Sequence, residues 1–150
     1  MFSQRLVQLI ESHSDGLAQG VVRRLRGDRR APTVATLPES ELYGQCQHLL
    51  KRLGDWLAES REAEIARHYE ELGRIRWRED VPLHEAVHAL HVLKRTMVDY
   101  ARAQGFAQTA SDVYGEEELE HAIGQFFDSA VYHLVHGYET SRRKVASAGV

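Results

Sequence analysis

The segment His84-Glu85-Ala86-Val87-His88 sets two imidazoles one helical turn apart with a carboxylate beside them, the spacing with which a helix grips zinc while the glutamate activates water. His91 lengthens the row, giving His84, His88 and His91 as candidate metal ligands. A zinc hydrolase needs more than spacing. Its two histidines, its glutamate and a third ligand must converge in a cleft that controls water. The glycine-containing HExxHxxGxxH continuation does not follow here. At about 100° per residue, Leu83, Ala86, Val87, Leu90, Leu93, Met97 and Ala101 gather on one side of a helix, whereas His84, His88, His91 and Arg95 form a separate stripe. Glu85 falls on the far side of the polar arc. The stripe is therefore expected to face solvent or a partner and to take metal only adventitiously, ahead of a metal-dependent hydrolase using His84, Glu85 and His88.

Two further patterns carry potential chemistry. Glu85-x-x-His88 has a counterpart in Glu118-x-x-His121, and paired ExxH motifs hold di-iron sites when they project into a helical bundle. The apolar side of the later helix is Leu119, Ala122, Ile123, Phe126, Ala130 and Leu134, with His121 nearly opposite, so an outward orientation is expected and the di-iron reading falls. His133 lies instead on the inner side, beside Phe126, Ala130 and Gly137. It is read first as a hydrogen-bonded core histidine with no cofactor; the alternative is an axial ligand to haem or a contact to a small apolar ligand. Tyr69, Trp77, Tyr100, Phe126 and Phe127 are read as core or interface aromatics. No glycine-flanked serine elbow, phosphate-binding loop or dinucleotide fingerprint occurs, so no enzymatic activity is expected.

The elements that must position these residues are helices throughout. Apolar residues recur at three and four and nowhere alternate over a strand length. Five helices are expected: residues 2 to 26, with Gly16 and Gly20 as weak points; a second starting near Pro38, with Leu42, Cys46, Leu49, Leu53 and Leu57 inward; 62 to 78; 82 to 104, with Gly105 as its cap; and 116 to 144 after a turn-like TASDVYG. The expected fold is all-α, a single helical bundle of about five helices or a globin-like stack, forming one domain over residues 1 to 144 with a frayed tail at 145 to 150.

Composition narrows the class of function. A chain of 150 residues with 43% hydrophobic and 27% charged residues can bury one continuous core. Its net charge of -3 argues against general affinity for nucleic acid or anionic membrane, despite clusters at Arg23, Arg24, Arg26, Arg29 and Arg30 and at Arg142, Arg143 and Lys144. The lone Cys46 sits in an apolar run and is expected to be a small core residue in a reducing compartment. With no basic-then-apolar leader and no long apolar run, the expectation is a cytoplasmic protein without a membrane span.

The stretch YEELGRIRWREDVPLHEAVHALHVLKRTM, residues 69 to 97, resembles the amino-terminal domain of RsbRD-type stressosome co-antagonists, which also precedes some sensor histidine kinases. The shared pattern is an aromatic, LGR-x-R, a [VI]-P-L-x-E helix start and a run of leucines with basic residues. LPESEL near residue 37 and FFDSAVYHLVHGYE near the end are similar to other parts of that family. The resemblance implies an all-helical input domain that receives a signal or docks a partner, with no catalytic residues to carry over. Because the sequence stops soon after the domain, output is expected through another signalling protein, a kinase or anti-sigma-type regulator, bound in trans, with the domain itself a homodimer.

Overall fold

The computed structural model describes residues 2–104 and 107–148; Gly105, expected as a helix cap, lies outside them. The described residues form seven α-helices and a 3-10 turn at Val34–Thr36, with no strand. The helices are α1 (Gln4–Ser12), α2 (Ser14–Arg26), α3 (Glu39–Leu50), α4 (Leu53–Leu57), α5 (Glu62–Arg78), α6 (Leu83–Gln104) and α7 (Ala110–Ala148). The all-α bundle is as expected, and α5 matches its expected span. The two additional helices arise because two long segments are broken, at His13 and at Arg52.

The first break falls at His13, whose backbone leaves the helix at φ -105 and ψ 19. Its ring Nδ1 lies 3.0 Å from the Leu9 carbonyl, which Ser12 Oγ also reaches at 3.0 Å. Side chains that take a helical carbonyl offer the backbone an alternative to the next turn. Neither Gly16 nor Gly20 is the weak point. The second break falls at Arg52, with φ -128 and ψ 36. Beyond it, Glu11 Oε2 of α1 accepts the Gly54 amide at 3.0 Å, which ties the short α4 to the first helix.

The α5–α6 corner is closed by backbone hydrogen bonds. Val81 N donates to Arg76 O at 3.0 Å and Asp80 N to Trp77 O at 3.1 Å, the pair of bonds that closes a helix through a left-handed residue. That residue is Asp80, at φ 59. Tyr138 of α7 then donates to Val81 O at 2.7 Å and pins the corner to the last helix.

Helix α7 starts six residues earlier than the sequence reading, because Thr109 and Asp112 form a reciprocal cap. Asp112 N donates to Thr109 Oγ1 at 3.1 Å and Thr109 N to Asp112 Oδ2 at 3.2 Å. The segment read as a turn is its first helical turns. At the other end the helix continues to Ala148, where fraying was expected from residue 145.

One hydrophobic core draws on all seven helices, with Ile10, Leu49, Leu53, Met97, Leu119 and Ile123 fully enclosed. The closest helix pair is α5 with α7. A Cβ on Gly73 would overlap the Leu134 carbonyl oxygen and lie 2.7 Å from the Tyr138 amide nitrogen, and one on Gly137 would overlap the Glu70 carbonyl. The two backbones touch directly at this crossing, which is why both positions hold glycine.

Candidate functional site

The histidine-rich start of α6 is built against the segment that returns from α2. Pro82 precedes the helix, and Glu85, one turn in, is only 2% exposed. Its Oε1 accepts the amides of Thr33 at 2.8 Å and Val34 at 3.1 Å, so it satisfies the first donors of the 3-10 turn. This corrects the placement of Glu85 on the polar arc of α6: the carboxylate points inward and holds another element. His88 is half-buried, with Nε2 2.6 Å from Asp28 Oδ2 in the same returning segment. That hydrogen bond, followed by the one from the Arg30 amide, holds the Asp28 carboxyl below the usual carboxylate range. His84 and His91 remain exposed.

The three polar residues of the HExxH pattern therefore have separate surroundings. Glu85 meets backbone donors, His88 meets a carboxylate, and His84 meets solvent. Among the described residues, no group of three or more His, Cys, Asp or Glu side chains is arranged to hold a metal ion. His121 of the second ExxH pattern is exposed.

Further along α6, His91, Lys94, Arg95, Val98, Asp99 and Arg102 line a shallow groove. Partial burial of the His91 ring, then the nearby Lys94, His88 and Arg95 cations, lower its proton affinity; Asp128 acts in the opposite direction. Arg24 of α2 reaches across to donate to Thr96 Oγ1 at 3.0 Å and lies 3.6 Å from Asp99.

His133 lies in the α5–α7 seam with its side chain 12% exposed. Nε2 is 2.7 Å from Glu62 Oε1, and Nδ1 is 3.6 Å from Glu70 Oε1, buried and without a hydrogen bond. Glu70 also meets His136 Nδ1 at 3.2 Å. The ring's immediate company is thus carboxylate. The interior cavity is elsewhere, among Val21, Leu42, Cys46, Tyr69, Leu90 and Leu134, and measures about 40 Å³, room for only a few atoms. Cys46, at its wall, is buried, and burial pushes its thiol up to about 12.

The pairing of Arg76 with Glu79 follows from their spacing, but its burial beside that cavity and its bond to Glu41 do not. Arg76 is 5% exposed, and its guanidinium bonds Glu41 of α3 at 2.8 Å and Glu79 at 2.7 Å. Burial raises Glu79 above an ordinary glutamate, whereas the hydrogen bond from Glu79 lowers Glu41, so Glu79 holds its proton the more firmly. Arg74 and Arg78, its neighbours in the LGRIRWR run, instead meet Glu71 on the surface. A second unforeseen cluster stacks His48 on His68 at 4.2 Å, with Trp56 tilted against both, Tyr69 edge-on to His68, and Phe126 edge-on to Trp56 and Tyr69 behind them. Burial, then the positive field of His48, lowers His68 to about 4. Both clusters depend on side chains brought together from different helices, which helical spacing alone does not reveal.

A family model described as the RsbT co-antagonist protein rsbRD N-terminal domain matches residues 15–149. The chain belongs to that family. Comparison with curated proteins and with solved structures finds no match. The rsbRD-type domains are regulatory, stressosome-related helical domains, and the residues of the 69 to 97 stretch take physical roles in this one. Gly73 allows the α5–α7 contact, Arg76 anchors the buried carboxylates, and Glu85 caps the 3-10 turn. None of the helices among the described residues is long and apolar enough to cross a membrane.

Proposed function

We propose that this rsbRD-type domain is a non-catalytic regulatory module that works in the cytoplasm by docking another signalling protein, a kinase or anti-sigma-type regulator, in trans, and that it does so as a homodimer. The observation that carries the non-catalytic part is the position of Glu85. A hydrolytic glutamate must offer a free lone pair to a metal-bound water, whereas this one is buried and accepts two backbone amides from a segment 51 and 52 residues away in sequence. Family membership supplies the regulatory class. Regulation of this kind requires a partner that binds one state of the domain better than another.

Three measurements test the reading. Titration of the purified domain against a purified stressosome kinase should give saturable binding, and light scattering should give twice the mass of one chain. Elemental analysis and an absorption spectrum of untagged protein address the alternatives. Stoichiometric zinc lost on His88→Ala would overturn the non-catalytic reading. A Soret band lost on His133→Ala would establish the haem alternative, in which iron must displace the Glu62 contact at 2.7 Å.

A further inference from the structure

We propose that the outward stripe of α6, built from His84, His91, Lys94, Arg95 and Arg102, is the docking surface for an acidic segment of a partner protein. This deepens the docking reading above and rests on it. His84 and His91 thereby flank a cationic edge formed by Lys94, Arg95 and Arg102.

Charge segregation is the first support. The chain is net negative at -3, yet this line of α6 gathers Lys94, Arg95 and Arg102 with two exposed imidazoles. Among the described residues, neither Lys94 nor Arg95 takes part in a salt bridge, whereas Arg102 is held by Glu120 at 2.7 Å and Arg24 by Asp99 at 3.6 Å. The acidic neighbours thus orient the flanking arginines and leave the centre of the stripe positive. The depressed proton affinity of His91 has the same origin in part, since Lys94, His88 and Arg95 all act on it.

Shape is the second support. His84 and Arg102 are 18 positions apart on one continuous helix, about 27 Å at 1.5 Å per residue. At about 100° per residue His84, His91, Arg95 and Arg102 fall in line, and Lys94 lies to one side across the groove that Val98 floors. A row of carboxylates on one helix or extended segment laid along that groove matches its length.

The same features argue for protein over membrane or nucleic acid. Among the described residues, the exposed large hydrophobic ones, Val113, Tyr114, Tyr132 and Val145, all belong to α7, so the described α6 stripe offers no such residue to insert among lipid chains. It has no interleaved aromatics on which bases could stack. Complementary charge of this type sets the rate and specificity of encounter and is sensitive to salt.

The test uses the full chain, isotopically labelled for amide NMR, titrated with a twenty-residue polyglutamate peptide at low salt. The expected shifts fall on residues 84 to 102 and on Arg24, and they weaken as salt is added. Lys94→Glu with Arg95→Glu should weaken binding at least tenfold. Arg142→Glu with Arg143→Glu, the same change of charge at the end of α7, should leave it within twofold. Lys94→Gln with Arg95→Gln should fall between. Shifts that map to α7, or equal losses from both reversals, overturn the proposal. So does tighter binding to phosphatidylglycerol vesicles or duplex DNA than to polyglutamate. The stressosome kinase provides the separating arm: equal binding by the wild type and by the Lys94→Glu, Arg95→Glu variant overturns the stripe and leaves the docking reading standing.

Discussion

Replacing Gly73 by alanine should loosen the molecule at its tightest crossing, and the magnitude follows from what the added methyl group would meet. The nearest atoms are the Leu134 carbonyl oxygen, the Tyr138 nitrogen at 2.7 Å and the Leu134 carbonyl carbon at 3.1 Å. All three belong to the α7 backbone, so no side chain can swing away. The two helices must separate by about 1 Å, and overpacking of this kind costs about 1–3 kcal/mol, with rigid neighbours toward the upper end. Alanine recovers about 1 kcal/mol through its higher helix propensity. The net loss is about 2 kcal/mol, which for a chain of this size lowers Tm by about 4–8 °C. Gly137→Ala should behave alike, since its methyl group would overlap the Glu70 carbonyl. The double variant should cost less than the sum, because the helices have already been parted by the first change. Gly44 and Gly124 provide the internal control: nothing lies within 4 Å of a methyl group at either position, so alanine there should stabilise by about 0.5–1 kcal/mol. Urea unfolding followed by circular dichroism reads all five variants. A Gly73→Ala protein as stable as wild type, or a loss of stability at Gly124→Ala as large as at Gly73→Ala, would refute the direct backbone contact.

Three other outcomes follow from single groups. Glu85→Ala leaves the Thr33 and Val34 amides without their acceptor and should cost about 2–4 kcal/mol in urea unfolding, whereas His84→Ala, at an exposed position, should change stability by less than about 0.5 kcal/mol. Asp80→Gly should raise stability by about 0.5–1 kcal/mol, because the backbone at φ 59 favours glycine; Asp80→Ala should show no such gain. His68 binds its proton more weakly folded than unfolded, near pH 4 against 6.5, so it contributes stability above pH 6.5 that is lost as pH falls toward 4. The shift would amount to about 3 kcal/mol at face value, reduced to about 1–2 kcal/mol by solvent at the half-buried ring; His68→Phe should flatten that part of the stability curve.

The helical class was legible because the apolar stripes of α5, α6 and α7 repeat over many turns, and a long repeat averages out local exceptions. The breaks at His13 and Arg52 were not, since each turns on one residue whose side chain or backbone competes with a helix of otherwise unbroken pattern. Thr109-x-x-Asp112 was readable in principle as a cap; the small and polar residues around it read equally well as a turn. At the candidate site, the outward direction of His84 and His91 followed from angle alone. The partners of Glu85 and the distant partner of Arg76 did not, because Thr33, Val34 and Glu41 lie more than thirty residues away and helical periodicity carries no information about which element will cover a given polar position.

Glu85 and Arg76 also explain why the enzyme-like pattern and the family-like pattern share one short stretch. A helix that starts immediately after a tight corner must place polar groups near backbone ends that the corner leaves unpaired. Here Arg76 precedes the corner and ties α5 to α3 through Glu41, and Glu85 follows it and ties α6 to the 3-10 turn. Both charges are inside, where removing either partner leaves an uncompensated group and costs more than an exposed pair. Their spacing is set by the corner, with Val81 enclosed between them. His88 then falls three residues after Glu85, where it meets Asp28 of the returning segment. Glu85 and His88 of the zinc-like pattern thus each serve a contact to the returning segment, and His84, on the side of α6 that the corner does not use, stays exposed.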